Sequence, residues 1–498
     1  MLLPLLAVLS QMHYEADVPV TGGDYVEVEF EVPPNTVEIE IAHDDQSDYD
    51  ILDWGVWSPE GFRGWGGGLV DNAIIGVDQS SRSYLAGPIT PGTWRVVIGK
   101  ALLDDMGHYS IDVECRDNAT LTVQPTHAYE PITLKTGRKW YRGDFHVHSE
   151  QSGDATATFA QILALAKTQR LDFVNLSDHN TSSQLPLIAA FQRTTTDVLF
   201  LRGAEITTYA GHGNAVGTSK YVDHRIGFEG RTINGVLDDV AAQNAIFIVN
   251  HPGLELGTNC LGCAWKHADT DWSKVRGIEV ITGKWDLTEP IFTPIALRMW
   301  DEQLDAGNFI AAIGGSDDHR AGMGMGSQDT PIGSPTTLVL ADDLSEASII
   351  EAIRRGRTMV TRGPDDPGVE FTINDHEIGD MFLASNMRIR IHVTGGDGMF
   401  AQVWRDGEKL AQLDVVGDDF TGELLDEEEG QHRYRLHLVE GANRRVVITS
   451  HIYGTVVVPN DGCCNASARG SLVPVLLAAF GLTTCTRRRR YRGAARAA

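Results

Sequence analysis

The sequence predicts a multidomain protein in which a central α/β barrel lies between two β-sandwiches. Its 498 residues exceed the roughly 250–300 that a single hydrophobic core sustains, so several domains are expected. Apolar and polar residues alternate in the first and last folded regions, which is typical of half-buried strands. Between them, apolar strand-like runs alternate with helix-like runs, which predicts a parallel sheet closed into a barrel.

The composition excludes some classes of protein. A hydrophobic content of 42% is ordinary for a globular chain and too high for a disordered one. The formal net charge is −27, and such an acidic surface disfavours nucleic acid as a standing partner. An anionic small-molecule substrate stays open, because a bound metal reverses the local sign of the charge.

The first folded region, residues 15–130, is interpreted as an accessory β-sandwich. Residues 26–32 and 37–41 alternate apolar and polar side chains. Pro33-Pro34-Asn35 between them predicts a turn. Residues 1–9 ahead of it are apolar, so residues 1–14 are interpreted as a signal-peptide remnant, with chance apolarity as the alternative.

Residues 138–363 make up the predicted barrel. The run at 158–170 has apolar side chains at helical spacing, and 346–355 predicts another helix. The predicted strands end near residues 148, 176, 201, 249, 281 and 313, and residues 336–340 would add a seventh.

Residues 366–458 return to strand-like alternation and predict a second, small β-sandwich. Residues 388–393 alternate strictly, and 405–408 predict a hairpin turn.

The last segment, residues 459–498, is predicted to be a sorting and anchor tail. Cys463-Cys464 precede a short apolar run at 472–482, and six arginines follow it. The run is marginal for spanning a bilayer, and the arginines fit the positive-inside rule. The segment resembles the myxobacterial C-terminal sorting tail, which implies transient membrane or surface anchoring and an extracytoplasmic protein. A loose basic tail is the alternative.

The pair Cys260 and Cys263 forms an isolated CxxC motif. Its simplest interpretation is a local disulfide or a pair of free thiols. A zinc knuckle would need a second pair of ligands, and only His267 is close in sequence.

Side chains that ligate metals recur at the ends of the predicted barrel strands. An HxH pair on a strand, such as His146 and His148, places both imidazoles on one face because side chains alternate. Loops at the carboxyl ends of barrel strands converge on one mouth, so ligands distant in sequence become neighbours there. One histidine at a strand end is usually structural, but five of the first six predicted strand ends with ligand-type residues indicate a metal centre. The set comprises His146, His148, His179, Glu205, His212, His251, Asp317 and His319.

Imidazole and carboxylate together suit Zn, Mn or Fe as divalent ions. The number of ligands exceeds what one ion needs, so two or three divalent metal ions are expected, sharing a bridging carboxylate.

Four segments carry a family resemblance. Residues 143–149 (GDFHVHS), 176–180 (LSDHN), 250–252 (NHP) and 316–319 (SDDH) resemble the motifs of the PHP (polymerase and histidinol phosphatase) superfamily. The combination of 203–208 (GAEITT) with Gly211-His212 is similar to its CehA/McbA branch of metallohydrolases.

The resemblance implies a distorted (β/α)7 barrel and a centre of two or three metals. It would place one metal on His146, His148, Glu205 and Asp317, and a second on Glu205, His212 and His251. His179 and His319 would hold a third. The third metal site of that family often has another histidine at the position where this chain has Asp154. A carboxylate can also bind metal at this position, so Asp154 is included among the candidate ligands.

The expected activity is metal-dependent hydrolysis by a hydroxide that bridges two ions. The candidate catalytic residues are Asp317, which would orient the nucleophile or take its proton, Glu205 and Arg320. Arg320, and more weakly Lys284, would contact an anionic substrate. The superfamily favours phosphoester hydrolysis, the branch leaves carbamate, amide or carboxylic ester hydrolysis open, and a non-catalytic surface binding module is a third alternative.

Overall fold

The computed structural model describes residues 8–47, 49–323 and 331–457. The predicted tail at 459–498 and the first seven residues of the predicted signal remnant lie outside these ranges. The described residues are strand-rich, with 26 strands and six α-helices. Within them, no helix combines the length and the apolar character that a membrane span requires.

The N-terminal region is built from eight antiparallel strands in two four-stranded sheets, ordered β1-β8-β3-β6 and β2-β7-β4-β5. Phe30, Trp54 and Trp94 lie in the core between them because inward side chains alternate with exposed ones. The strands are β1 Val8–Pro19, β2 Tyr25–Val32, β3 Glu38–Asp44, β4 Ile51–Ser58, β5 Gly61–Gly67, β6 Ala73–Gly76, β7 Gly92–Leu102 and β8 Met106–Arg116.

The first strand begins earlier than the predicted start of the sandwich at residue 15. β1 begins at Val8 and pairs with β8 from Arg116 onward, so residues 8–14 belong to the sandwich rather than to a separate leading segment.

The central region alternates strands and helices, as its sequence predicts. Its strands are β9 Lys135–Val147, β10 Phe173–Leu176, β11 Leu199–Thr208, β12 Gly211–Val216, β13 Ile246–Val249, β14 Val275–Thr282, β15 Ala311–Gly315, β16 Thr336–Leu344 and β17 Thr358–Thr361. Its helices are α1 Phe159–Thr168, α2 Gln184–Gln192, α3 Ile233–Ala242, α4 Trp285–Thr288, α5 Thr293–Asp305 and α6 Glu346–Arg354, with 3₁₀ turns at Phe228–Gly230, Gly257–Asn259 and Trp272–Lys274.

Helix α1 shows why these runs fold as predicted. The Thr158 side chain accepts a hydrogen bond from the backbone N–H of Gln161, and the Gln161 side chain returns one to Thr158. This capping box satisfies two N–H groups that the first helical turn leaves unpaired. Ile162 and Ala166 then bury the inner face of the helix.

The structure does not show the regular closed (β/α)7 barrel. β9, β10 and β11 are parallel, as are β13, β14 and β15, but β12 runs antiparallel between the two groups, and β16 is antiparallel to β9. The cause is a tight turn after β11, where the Thr208 hydroxyl bonds the carbonyl of Gly211 and Gly211 adopts a φ of +149°. The chain therefore folds straight back as a hairpin.

The C-terminal strands do not form an independent sandwich. β25 pairs with β17, so one of their two layers continues the central region as part of a 15-stranded sheet, and β18-β20-β23 forms the other layer. The strands are β18 Gly368–Ile373, β19 Met381–Ala384, β20 Met387–Thr394, β21 Phe400–Arg405, β22 Glu408–Asp414, β23 Asp419–Asp426, β24 Gly430–Glu440, β25 Arg444–Thr449 and β26 Ile452–Val456.

Candidate metal centre

The ends of the central strands converge although these strands do not form a regular barrel. A parallel bridge joins Val147 to Asp318 and thereby brings the end of β9 beside the end of β15. A second bridge joins His179, after β10, to Glu205 of β11. Every predicted metal ligand consequently lies in one cluster. The prediction that Glu205 ends a strand is wrong, because β11 continues to Thr208.

Glu205 lies at the middle of this cluster, with 1% of its surface exposed. Its carboxylate also accepts a hydrogen bond from Asn250 Nδ2 at 2.7 Å. Five imidazole nitrogens lie around it, from His146 (3.3 Å), His148 (3.6 Å), His179 (3.0 Å), His212 (3.6 Å) and His251 (3.4 Å). One carboxylate cannot satisfy five rings by hydrogen bonding alone, and this geometry is typical of ligands arranged around cations.

Unpaired buried atoms support the same interpretation. Glu205 Oε2, His146 Nε2 and His148 Nδ1 are buried and make no hydrogen bond. Buried polar atoms without partners are rare, and a missing ion is one of the standard reasons for them. These donors fit a divalent cation.

Asp317 and Asp154 close the cluster on its solvent side. Asp317 Oδ1 lies 3.2 Å from His146 Nε2 and 3.1 Å from His148 Nε2. Asp154 Oδ2 lies 3.3 Å from His179 Nε2 and 3.1 Å from His319 Nε2. The Asp154 carboxylate therefore does reach the predicted third set of ligands.

Four sets of ligand atoms each lie within 4.8 Å of one another. They only partly match the sets that the resemblance implies, because His148 groups both with Glu205 and with His179 and His319. The sets are His146, His148 and Glu205; His146, His251 and Asp317; His148, His179 and His319; and His212, His251 and Cys263, whose sulfur is bound in a disulfide and is therefore not a thiolate ligand.

The backbone is strained where ligands are presented. His251 has a φ of +26° and Asp317 a φ of +58°. Side chains other than glycine rarely adopt this region, and such strain concentrates at functional sites.

The pKa values of two histidines in the cluster shift in opposite directions. Burial lowers the pKa of His148 to about 3, assisted by His319 and His179, so this ring is neutral. Burial opposes charge on His146 as well, but Asp317 and Glu205 outweigh it and raise its pKa well above the ordinary value. Metal ions would displace protons from such rings.

Sequence reasoning missed Glu279, a buried acid in β14. Its Oε1 lies 3.0 Å from His146 Nδ1, and its Oε2 accepts the backbone N–H of His251 at 2.8 Å. A Cβ at Gly315 would collide with Glu279 and His146, which explains the glycine there. The available signal was a carboxylate within an otherwise apolar strand.

Asp178 of the Asp178-His179 pair and Asp318, the second acid of residues 317–319, do not face the cluster. Asp178 accepts hydrogen bonds from the backbone and hydroxyl of Ser149. Asp318 accepts backbone N–H groups of Arg320, Gly322 and Ile332. Both shape the loops that present the neighbouring histidines.

The CxxC motif forms a disulfide beside the cluster, as the local-disulfide interpretation predicted. The zinc-knuckle alternative receives no support, since His267 Nε2 pairs with the Thr208 hydroxyl at 2.8 Å. The loop closed by the disulfide presents two carbonyls to the ligands. Leu261 O accepts from His212 Nε2 at 3.1 Å, and Cys263 O accepts from His251 Nδ1 at 3.2 Å. These contacts leave the other nitrogen of each ring to face Glu205.

Opening this disulfide is expected to weaken cation binding. Replacing Cys260 and Cys263 with serine releases the loop that orients His212 and His251, and loss of such outer contacts costs about 10–100-fold in metal affinity. Titration with Zn²⁺ against a competing chelator measures the change. Thiol reduction of the native protein should reproduce it, whereas the double variant should not respond to the reductant. Equal affinity in all forms would contradict a positioning role.

Comparisons with known proteins find solved structures of low similarity only. No family model and no curated protein matches the sequence. A two-domain protein from Bacteroides vulgatus ATCC 8482, described as containing a predicted PHP-like metal-dependent phosphoesterase, is 17% identical and has a TM-score of 0.36. The match covers 67% of this chain and 100% of that one.

A second solved structure, from Bifidobacterium adolescentis ATCC 15703, is also described as a metal-dependent phosphoesterase. It is 16% identical with a TM-score of 0.27, and the match covers 38% of this chain and 92% of that one. At these values neither similarity assigns a family, so the function is argued from the site.

Proposed function

We propose that the protein is a hydrolase of phosphate esters that uses two or three divalent cations held by the Glu205 cluster. The observation that carries the proposal is the single buried carboxylate surrounded by five imidazoles, with Asp317 and Asp154 at its rim. Imidazole and carboxylate donors suit Zn, Mn or Fe. When bound, such ions polarise an ester oxygen and lower the pKa of water toward neutrality.

The residues of the chain have distinct tasks in this proposal. Glu205 holds the histidines at a common centre, and Glu279 fixes the orientation of His146. Asp317, at the rim and with its side chain 26% exposed, is placed to orient a water or take its proton.

Basic side chains beside the cluster favour an anionic substrate. Lys284 and Arg320 line one cavity of about 420 Å³, together with Asp317 and His319. An anionic ester group in this cavity would therefore meet the two basic side chains as well as the metal ligands. This feature favours phosphate esters over neutral carbamates, amides or carboxylic esters.

A panel of substrates tests the proposal. Protein loaded with Zn²⁺ or Mn²⁺ is assayed with nitrophenyl phosphate, a bis(nitrophenyl) phosphodiester, an aryl carbamate and nitrophenyl acetate, which share a chromogenic leaving group. We expect turnover of at least one phosphate ester and its loss on chelation. Turnover restricted to the carbamate or acetate would overturn the phosphoesterase proposal and favour the other branch activity. Absence of all turnover in fully loaded protein would favour a binding module.

We further propose an extracytoplasmic location. The Cys260–Cys263 disulfide supports it, because disulfides persist mainly in oxidising compartments. The tail at 459–498 would provide transient anchoring. Mass spectrometry of the protein from its native cells tests this, since an intact C-terminus on cytoplasmic protein would contradict it.

A further inference from the structure

A second cavity, of about 710 Å³, lies between the N-terminal strands and the metal centre. Its floor includes His179, Glu205 and Asp317. Its opposite wall comes from the N-terminal sandwich, with side chains and backbone of Asp53, Trp65, residues 66–68 and Leu69. This volume lies within the ordinary range of small-molecule sites, roughly 300–1,000 Å³. The sandwich is thus part of the site.

The wall is fixed to the loops that carry metal ligands. Ser83 donates its hydroxyl to Gln151 O at 2.8 Å and accepts at its carbonyl from Thr181 Oγ1 at 2.9 Å. Arg82 Nη1 donates to Ala155 O at 3.1 Å. A Cβ on Gly153 would collide with the carbonyl of residue 66, so the two regions are in direct backbone contact. These contacts therefore fix the position of the wall relative to the metal centre.

Part of the wall is backbone without side chains, and part of it is apolar. Residues 66–68 are three consecutive glycines, so no side chain separates their backbone from the cavity. Trp65 precedes them and Leu69 follows. Backbone free of side chains leaves room for a ring, and the neighbouring Trp65 indole offers it an aromatic contact.

Two side chains with hydrogen-bond acceptors line this cavity. Asp53 Oδ2 accepts from the Tyr209 hydroxyl at 2.8 Å, and its Oδ1 lies beside residues 67 and 68. His224 also lines the cavity, is 1% exposed, and has no hydrogen-bond partner at Nε2.

The tautomer of His224 follows from its neighbours. Tyr221 Oη lies 3.3 Å from Asp223 Oδ1 and 3.0 Å from His224 Nδ1; when its hydroxyl proton goes to Asp223, the Nδ1–H of His224 donates to Tyr221 Oη. The second ring nitrogen, Nε2, is then an acceptor. A buried acceptor without a hydrogen-bond partner destabilises the folded protein, and a ligand that donates a hydrogen bond to His224 Nε2 would remove this penalty.

We propose that this wall recognises the leaving group of the substrate, a hydroxyl-bearing ring whose hydroxyls donate to Asp53 and His224 while its ester phosphate lies at the metal centre. The inference rests on the proposed phosphoester hydrolysis and deepens it by naming the substrate class. It assigns the N-terminal sandwich a role in specificity.

A matched pair of ligands tests the inference. myo-Inositol 1-phosphate and cyclohexyl phosphate share a six-membered carbon ring and a phosphate and differ in the ring hydroxyls. Equilibrium binding to the Zn²⁺-loaded full chain is measured by calorimetry, and kcat/KM is measured for the same two esters. We expect a preference of at least about tenfold for the inositol ester, which corresponds to about 1.4 kcal/mol.

Two variants and one control locate the source of the preference. Asp53→Ala and His224→Phe should each reduce the ratio of the two affinities severalfold, because each removes a hydrogen-bond acceptor from the wall. Phe62→Leu is the control, since Phe62 packs on Tyr221 at the same interface but does not line the cavity. It should retain the ratio.

The outcomes separate this inference from the proposed function. Equal binding of the two esters by the native protein, or a ratio that survives both variants, would overturn recognition by the wall. A clear binding preference with no turnover of any phosphate ester would support the wall and contradict phosphoester hydrolysis instead.

Discussion

The substitution Glu205→Gln is expected to abolish nearly all turnover and to deplete bound cation. The amide keeps the shape of the side chain but removes the negative charge that five imidazoles surround. Loss of one ligand or its supporting contact costs about 10–100-fold, and Glu205 serves several ligands at once, so kcat/KM should fall by at least ~100-fold. Steady-state kinetics and elemental analysis of the same preparation measure both effects.

A matched control is available at Glu346. It is 7% exposed and pairs with Arg202 at 2.6 Å, away from the cluster. Glu346→Gln therefore repeats the chemistry of the substitution at a structural site and should leave the cation content intact. Near-normal turnover by Glu205→Gln would show that the shared carboxylate has been misassigned.

The second large effect is expected at Glu279, which touches ligands without facing the centre of the cluster. Glu279→Ala removes the acceptor for His146 Nδ1 and for the backbone N–H of His251. Leaving such buried donors unpaired costs about 1–3 kcal/mol each, and the freed rings should bind cations about 10–100-fold more weakly.

Glu279→Gln separates positioning from simple folding. Its amide oxygen can still accept one of the two hydrogen bonds, so thermal stability should recover more than cation affinity does. Chelator-competition titrations and thermal unfolding of both variants make the comparison. Cation affinity equal to that of the native protein in Glu279→Ala would contradict the positioning role.

The grouping of the candidate ligands could be predicted, because strand periodicity is local and the alternation of strands with helices indicates parallel strands whose carboxyl ends meet. His146 lies in β9 and His148 directly follows its last residue, so these side chains, two residues apart on extended backbone, had to share a face. Motif spacing likewise pointed to His251 and Asp317. The left-handed backbone at both residues was not predictable, since it depends on how the loops pack.

Other features depended on tertiary contacts and could not be predicted. β11 and β12 form a hairpin in place of a regular barrel connection. The sequence could not predict this, because a turn at Gly211 is compatible with either path until the neighbouring strands pair. Glu279 looks like any isolated acid until the strand is seen to be fully buried. The contribution of Trp65 to the cavity required knowing where the sandwich docks.

The cation content of the native protein tests the central claim most directly. Protein purified without chelator, then reloaded with Zn²⁺ or Mn²⁺ and dialysed, is analysed for metal per chain by elemental analysis. The Glu205 cluster predicts at least two ions per chain, lost together with turnover on chelation and restored together on reloading. One ion or none, in protein that is folded by circular dichroism, would contradict a shared carboxylate between neighbouring cations.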